Sequence, residues 1–396
     1  MTSSMWRPAI VVLGLLLLWR VIEVNAVLYE STGRPKLPAP VEAAMPGAIP
    51  EREELVGLLR ENPAQAAAYL MLAREFERGN DDDRAARAYA AAYQVAPVDR
   101  DVLAASADFF VRHGRVPEAL MLLSTALEHY EDLRESAFPL MADSLASGRE
   151  SSTWNTITAH QPSWLGPFVV ASCIRGVDPG ILVPVFLARV AASKATRAET
   201  ACLVDRLRTA GRWDEAYQVW LDSLPRDRLA DVGFIFNGGF EYAPSGVGFD
   251  WIPDSQLERD SGHTVEFART NAAEGHRALR IAYSGKRQTG IAIAQYLALA
   301  PGRYEVSGVA RPESIRAGHG AQWTLRCVQD GKAREPLARS ERFLGSSDWT
   351  PFAFEAAIPE GCRGQLLQLE AVGADGGPLF LAGTLWFDNM AVRQYH

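Results

Sequence analysis

Residues 236–251, FNGGFEYAPSGVGFDW, mark the point at which the chain changes character. The stretch joins a glycine-aromatic opening, which carries one acidic residue, to a second aromatic cluster. Before it, apolar residues recur with the spacing of helices, and after it they form alternating runs of strand length. We therefore expect a helical part to end here and a β-sheet part to begin.

The part that follows contains runs of strand length between glycine- and proline-rich turns. These runs are 279–283, 290–299, 304–310, 322–328, 349–356, 365–372 and 384–393. Turns such as Pro301-Gly302 and Asp330-Gly331 separate them. Because no helical pattern intervenes, residues 227–396 are predicted to form an antiparallel β-sandwich.

The part that precedes the stretch is self-similar along the chain. Residues of one copy, Tyr69, Leu72, Ala73, Phe76, Ala85, Tyr89, Ala92 and Pro97, correspond to Leu103, Ser106, Ala107, Phe110, Ala119, Leu123, Ala126 and Glu131 of the next. Small residues let paired helices approach closely, and the spacing resembles the tetratricopeptide repeat. Residues 51–226 are therefore predicted to form an all-α solenoid of stacked helix pairs with a degenerate middle.

Two features of this helical part each have two interpretations. Asn80-Asp81-Asp82-Asp83 is either a calcium loop or the turn and helix cap that a repeat needs, and the absence of spaced oxygen ligands favours the turn. The aromatic residues either fill the core or line a peptide groove, and helical spacing favours the core. They are Tyr69, Phe76, Tyr89, Tyr93, Phe109 and Phe110.

The N-terminus carries a membrane-targeting segment, predicted over residues 1–30. The apolar run from Ala9 to Trp19 follows Arg7, and the stretch to Tyr29 is long enough to cross ~30 Å of hydrocarbon as a transmembrane helix. Alternatively, the segment is a signal peptide cleaved after Val24-Asn25-Ala26. Both alternatives export the rest of the chain.

Residues 31–50 contain five prolines, so this segment is predicted to be an extended linker. The charge of the chain, in contrast, bears on its possible partners. The chain of 396 residues has a net charge of −8, without a lysine- and arginine-rich stripe. No basic field attracts phosphate, and nucleic acid is therefore not expected as a partner.

The C-terminal part also resembles a known family. Asn237-Gly238-Gly239-Phe240-Glu241 and Gly248-Phe249-Asp250-Trp251 are followed by ALRIAYSG at 278–285, GIAIAQYLALAPGRYEVSGVARPE at 290–313 and LWFDNMAVRQ at 385–394. In this order, the motifs resemble the galactose-binding-like jelly-roll carbohydrate-binding modules of the CenC type, over residues 233–396. The resemblance implies a jelly roll and a glycan ligand.

The resemblance also implies a structural calcium ion. In that family, the opening acidic residue and an aspartate of the last strand commonly hold calcium, and the matching residues are Glu241 and Asp388. The alternative is that these two carboxylates form a hydrogen-bonded or solvated pair. No other cofactor is expected.

A sugar site needs aromatic platforms and hydrogen-bonding side chains on one face of the sandwich. If Trp323, Leu325 and Cys327 point into the core, Gln322, Thr324 and Arg326 share the opposite face, and Gln368 and Glu370 do so on another strand. With Ser307 and Arg311, these residues are expected to make a polar concave surface. The candidate aromatic residues are Trp251, Tyr283, Trp349 and Trp386. The alternative is that the tryptophans belong to the core and the polar row faces solvent.

Cysteines and catalytic motifs complete the sequence-based picture. Cys327 and Cys362 lie on or near neighbouring predicted strands, so a disulfide between them is a candidate, whereas Cys173 and Cys202 are expected to be separate buried thiols. No nucleophile, metal or phosphate motif is recognisable, and we therefore predict a non-enzyme.

The combined prediction is a membrane-tethered, exported adaptor of the bacterial inner membrane with its bulk in the periplasm. The helical repeats bind a protein partner, and the sandwich contacts glycan in exopolysaccharide or surface-glycan assembly. The first alternative is a purely protein-binding scaffold, and the second is a glycan-modifying enzyme. After signal cleavage, the protein is instead secreted or periplasmic.

Overall fold

A computed structural model of the protein describes residues 52–253, 262–269, 272–288, 291–317, 320–371 and 379–395. The predicted membrane segment and proline-rich linker lie outside these residues. Within them, none of the helices has the length and apolar character needed to span a bilayer. The chain divides into two compact units, with the boundary between Tyr130 and Glu131.

The first unit consists of helices joined by short turns. They are α1 Arg52–Glu61, α2 Ala66–Arg78, α3 Asp82–Val95, α4 Arg100–Arg112 and α5 Val116–His129. Between α2 and α3, Asn80 has a left-handed φ of 54°, and Asp81 caps α3 by accepting a hydrogen bond from Arg84 N at 3.1 Å. These residues therefore form the turn and cap, the interpretation that the sequence favoured. Gly114 occupies the corresponding left-handed position between α4 and α5, with φ of 68°.

The core of the first unit is built from small and aromatic side chains. Ala73 and Ala85 are buried between α2 and α3, as are Ala107 and Ala119 between α4 and α5. Tyr89, Phe109 and Phe110 are also buried, and the ring centres of Tyr89 and Phe109 are 4.8 Å apart. These three aromatic residues belong to the core rather than to an open groove.

The second unit begins with helices and continues into the sandwich. Its helices are α6 Arg134–Ser147, α7 Ser151–His160, α8 Leu165–Arg175, α9 Pro179–Ala191, α10 Arg197–Thr209 and α11 Trp213–Asp222, with 3₁₀ turns at Glu131–Leu133 and Arg226–Asp231. Cys173 of α8 and Cys202 of α10 form a disulfide with Cα atoms 6.3 Å apart. The expectation of two separate thiols was wrong, because stacked helices bring these two chain-distant positions together.

The sandwich consists of two antiparallel sheets. Its strands are β1 Ile252–Pro253, β2 His263–Arg269, β3 Arg277–Gln288, β4 Ile291–Leu297, β5 Gly302–Arg316, β6 Gln322–Gln329, β7 Lys332–Arg339, β8 Thr350–Ile358, β9 Gly364–Glu370 and β10 Leu379–Gln394. Sheet A has the order β1-β4-β9-β6-β7, and sheet B has the order β2-β3-β10-β5-β8. The predicted antiparallel sandwich is thus present, and strands adjacent in sequence often lie in different sheets.

The stretch at 236–251 is an irregular segment that is hydrogen-bonded to the last strand of the sandwich. Asn237 has φ of 53°, and its side chain closes a turn by bonding the backbone N–H and carbonyl of Tyr242. Trp251 is fully buried, and its Nε1 donates to Asn237 O at 3.0 Å. Met390 N of the last strand donates to Gly238 O at 2.9 Å. The stretch therefore connects the start of the sandwich to its final strand.

Candidate functional site

The outer face of sheet A, pointing away from the sandwich core, carries a cluster of polar side chains. Alternation along β6 and β9 places Trp323, Leu325, Leu367 and Leu369 in the core. The intervening positions therefore face outward. We call the outward residues Gln322, Thr324, Arg326, Gln368 and Glu370 the polar row.

The register of β6 and β9 brings the side chains of the polar row into contact with one another. Gln322 is directly opposite Glu370, and Thr324 is opposite Gln368. Arg326 Nη2 lies 3.0 Å from Glu370 Oε2, and Gln368 Nε2 donates to the same carboxylate oxygen at 2.9 Å. The charge of the Glu370 carboxylate is therefore balanced by the Arg326 guanidinium, and the Gln368 amide adds a hydrogen bond.

Burial makes the remaining polar atoms of the row unusual. Thr324 is 0 % exposed and Gln368 4 % exposed. Thr324 Oγ1 and Gln368 Oε1 have no hydrogen-bond partner among the described residues. A buried polar atom without a partner costs about 1–3 kcal/mol, so these two atoms would gain from a hydrogen-bonding ligand.

Four other predicted site residues lie on or beside strands of sheet B. The prediction of a single polar surface was therefore wrong. Ser307 and Arg311 are on β5 and Trp386 is on β10, both of which are strands of sheet B. Trp349 directly precedes β8 of the same sheet. Alternation predicts whether a side chain points inward or outward, but it does not predict the sheet to which the strand belongs.

On the outer face of sheet B, these residues form a line that we call the indole–guanidinium row. Arg311 is opposite Trp386, Trp386 is opposite Arg280, and Arg280 is opposite Glu266. The guanidinium carbon of Arg311 lies 5.1 Å from the ring centre of Trp349 and 5.0 Å from that of Trp386. Arg280 Nη1 is 3.0 Å from Glu266 Oε2. Rings and guanidinium groups thus alternate along this row, while Arg311 Nε and Trp386 Nε1 are buried without a hydrogen-bond partner in the described part of the chain.

Trp251 and Tyr283 belong to the hydrophobic core and not to either outer face. The rings of Trp251 and Trp323 pack against each other in a tilted arrangement, with ring centres 5.8 Å apart. Burial also raises the pKa of the Tyr283 hydroxyl above its ordinary value. Their placement on a sugar-binding surface was therefore wrong, because the inward-facing positions of β3 and the irregular segment take both rings into the core.

Glu241 and Asp388 lock a turn near the start of β3. Glu241 Oε1 accepts hydrogen bonds from the backbone N–H groups of His276 at 2.7 Å and Arg277 at 3.1 Å. Asp388 accepts from Glu274 N at 3.1 Å and Asn389 N at 2.8 Å. Burial raises the pKa of the Asp388 carboxyl, and the nearby Glu241 charge raises it further.

Both carboxylates accept hydrogen bonds from backbone N–H groups in this structure. Calcium requires a shell of oxygen ligands, whereas these carboxylates face N–H donors. Within the described part of the chain, no group of three or more His, Cys, Asp and Glu side chains has metal-binding geometry. Calcium binding at Glu241 and Asp388 stays a prediction.

The structure joins Cys327 and Cys362 by a disulfide with Cα atoms 5.7 Å apart. Cys327 is on β6, and Cys362 lies in the turn before β9. Gln365 Nε2 donates to Cys362 O at 2.7 Å. The link therefore connects the two strands that carry the polar row.

Sequence analysis missed Arg280 and Glu266 as parts of an outer face. The run from His263 to Arg269 was not recognised as strand β2, because only Val265 and Phe267 are strongly apolar in it. The alternation of ALRIAY did place Arg280 opposite to the core residues Leu279 and Ile281. The same pattern therefore predicts an outward position for Arg280.

Comparisons with known proteins concern the sandwich. No family model matches the chain, and no curated protein matches it. Solved structures similar to its β region include a CBM4 module, with a TM-score of 0.32 and 19% identity over 41% of this chain and 99% of that chain.

Two further carbohydrate-binding modules match a similar share of this chain. A CBM61 module in complex with β-1,4-galactotriose has a TM-score of 0.26 and 17% identity, over 41% of this chain and 99% of that chain. The CBM22-1 xylan-binding domain of Paenibacillus barcinonensis Xyn10C has a TM-score of 0.26 and 15% identity, over 40% of this chain and 91% of that chain. Because these TM-scores are low, the description of the fold rests on the sheet order and register of the chain itself.

Proposed function

We propose that the β-sandwich binds a glycan through the polar row on the outer face of sheet A. The observation that carries the proposal is the pair Thr324 Oγ1 and Gln368 Oε1, which are buried and have no hydrogen-bond partner among the described residues. A sugar hydroxyl both donates and accepts, so one hydroxyl can pair with a threonine hydroxyl or a glutamine oxygen.

The charge of the row supports a hydroxyl-rich ligand. Arg326 and Glu370 compensate each other, so the row carries no net charge to attract an anion. The register places Thr324 beside Gln368, and the line through them crosses the strands of sheet A. Both unpartnered atoms are covered in this structure, so a polymer that follows this line would reach them only after the groups above the row move aside.

The other parts of the chain would bring the sandwich to a protein partner and to a membrane. We propose that helix pairs of the tetratricopeptide type in the first unit bind a protein partner, using exposed apolar side chains such as Val98, Val111 and Met121. The N-terminal segment would tether this adaptor to the bacterial inner membrane. Its role would be non-catalytic, in exopolysaccharide or surface-glycan assembly in the periplasm.

The test is glycan binding by the full-length protein and by Thr324→Val. Valine keeps the shape of threonine but removes the hydroxyl, so we expect at least tenfold weaker binding, equivalent to about 1.4 kcal/mol. Affinity electrophoresis against a panel of soluble polysaccharides finds the ligand, and calorimetry measures its affinity. Thr264→Val on the exposed side of β2 is the matched control, because it removes a hydroxyl from sheet B.

Thermal unfolding accompanies each binding measurement. Removing an unpartnered buried hydroxyl should leave stability unchanged or raise it. Equal affinity of the wild type and Thr324→Val for every bound glycan would exclude the polar row as the glycan-binding site. Absence of binding to all polysaccharides would favour the purely protein-binding scaffold.

A further inference from the structure

The hairpin formed by α10 and α11 is fixed against the sandwich within the second unit. The ring centre of Trp220 lies 5.6 Å from that of Phe249 and 5.2 Å from that of Phe236. Gly248 has a left-handed φ of 67°, and a Cβ at this position would overlap Trp220. The aromatic stretch at 236–251 therefore serves as a docking surface for the last helix.

The tip of this hairpin reaches the outer face of sheet A. The guanidinium carbon of Arg208 lies 3.7 Å from the ring centre of Tyr296, and the Trp213 ring centre is 6.0 Å from it. A Cβ on Gly364, the first residue of β9, would overlap the Trp213 ring. The tip thus covers one end of β4 and β9.

The covered end lies next to the polar row. Tyr296 is opposite Leu366, and two residues further along each strand Ala294 is opposite Gln368. Two residues of strand correspond to roughly 7 Å. The hairpin tip therefore stands about one sugar-ring width from the line through Thr324 and Gln368.

We propose that Arg208 and Trp213, with Tyr296, form one wall of the glycan groove and exclude glycans that carry a branch on that side. The inference rests on the proposed glycan binding by the polar row. It makes the helical hairpin a determinant of specificity for the sandwich, although the hairpin precedes it in the chain.

Several contacts hold Arg208 in this wall. Its Nη1 donates to Gly248 O at 3.3 Å, and its Nη2 lies 3.1 Å from Asp205 Oδ1. The side chain is only 12% exposed. A guanidinium that is stacked, hydrogen-bonded and largely buried does not swing aside at low cost, so a branch pointing at it meets a rigid obstacle.

The experiment compares linear and branched glycans on the full-length protein. The probes are linear β-1,4-glucan and β-1,4-xylan oligosaccharides and their branched counterparts from xyloglucan and arabinoxylan. We expect the wild type to bind the linear form of its ligand at least tenfold more tightly than the branched form. Arg208→Ala should bind the branched form at least fivefold more tightly than the wild type does, with less than twofold change for the linear form.

Arg280→Ala is the matched control, because it also removes a guanidinium that lies over an aromatic ring, but on sheet B. It should leave the ratio of linear to branched affinity unchanged. If Arg208→Ala unfolds, Arg208→Met keeps the aliphatic stem, removes the head group, and should change the ratio in the same direction.

The outcomes separate this inference from the proposed function. A wild type that binds branched and linear forms equally, or an unchanged ratio in Arg208→Ala while Thr324→Val loses binding, would overturn the wall and leave the glycan site intact. Loss of the linear preference in Arg208→Ala supports the wall. Normal binding by Thr324→Val would overturn the polar row and the wall together.

Discussion

The outer faces of sheets A and B both carry polar side chains, but these side chains differ in burial and in the groups that they contact. In the polar row of sheet A, Thr324 and Gln368 are buried and each has an atom without a partner among the described residues. In the indole–guanidinium row of sheet B, Arg311 and Arg280 lie over the Trp386 ring, and Glu266 pairs with Arg280.

The comparison shows that a polar outer face is not by itself a binding site. The rings and guanidinium groups of sheet B pack against one another, although Arg311 Nε and Trp386 Nε1 are also buried without a hydrogen-bond partner among the described residues. The unpartnered atoms of sheet A reduce stability and favour a ligand that supplies the missing hydrogen bonds. Substitutions on the two faces therefore test whether glycan affinity depends on sheet A alone, and how the burial of each side chain sets the loss of stability.

Trp386→Ala should have the largest effect on stability. Removing this buried ring leaves a cavity between two guanidinium groups, and such substitutions cost about 3–5 kcal/mol. Chemical denaturation measures the loss, and glycan affinity of the folded variant should match that of the wild type. A loss of affinity at full stability would mean that sheet B also takes part in binding.

Glu370→Gln should destabilise the protein by about 1–3 kcal/mol. The Glu370 side chain is 7% exposed, and its loss of charge leaves Arg326 without an ionic partner. Glycan affinity should fall in the same variant. Stability equal to that of the wild type in denaturant titrations would contradict the described geometry of the polar row.

Asp388→Asn should change how stability depends on pH. Burial raises the folded-state pKa of this carboxyl, so the folded protein holds the proton more tightly than the unfolded chain does. Its stabilising contribution is fully present below about pH 4, the ordinary pKa of aspartate, and is lost as the pH rises through the raised value.

Asparagine cannot titrate, and the stability difference between Asp388→Asn and the wild type should therefore shift in favour of the variant as the pH rises. Asparagine also presents an amide to the N–H groups of the turn, which lowers stability by a similar amount at every pH. Unfolding free energies at several pH values measure the trend. Parallel profiles of the two proteins would show that Asp388 does not titrate as described.

Glu266→Gln should have the smallest effect, below about 1 kcal/mol. The Glu266 side chain is 54% exposed, and exposed ion pairs contribute little because water and salt screen them. This substitution is the surface counterpart of Glu370→Gln. If the two variants lost equal stability, the contrast in burial between the faces would not explain their energetics.

Much of the sandwich was predictable from local pattern. The alternation of β6 and β9 correctly separated core residues such as Trp323 from outward residues such as Thr324. It failed for Arg311, which was assigned to the same surface as Arg326 although β5 and β6 lie in different sheets. Alternation is a property of one strand, whereas sheet membership depends on pairing between distant strands.

The role of the helical hairpin was not predictable in the same way. Trp213 and Trp220 fit the apolar spacing of α11, and nothing local distinguishes a ring that packs on a helix from one that packs on a sheet. The glycines at 248 and 364 are a local hint, since each leaves space for one of these rings.

The sequence by itself determined the change from helix to strand near the FNGGFEYAPSGVGFDW stretch, because residue spacing dictates which local structure can bury apolar surface. Only the tertiary structure decided which outward residues share a face, which cysteines pair, and which helix borders the polar row. These outcomes depend on strand order and on packing between segments far apart in the chain, and hydrophobic periodicity carries no information about either.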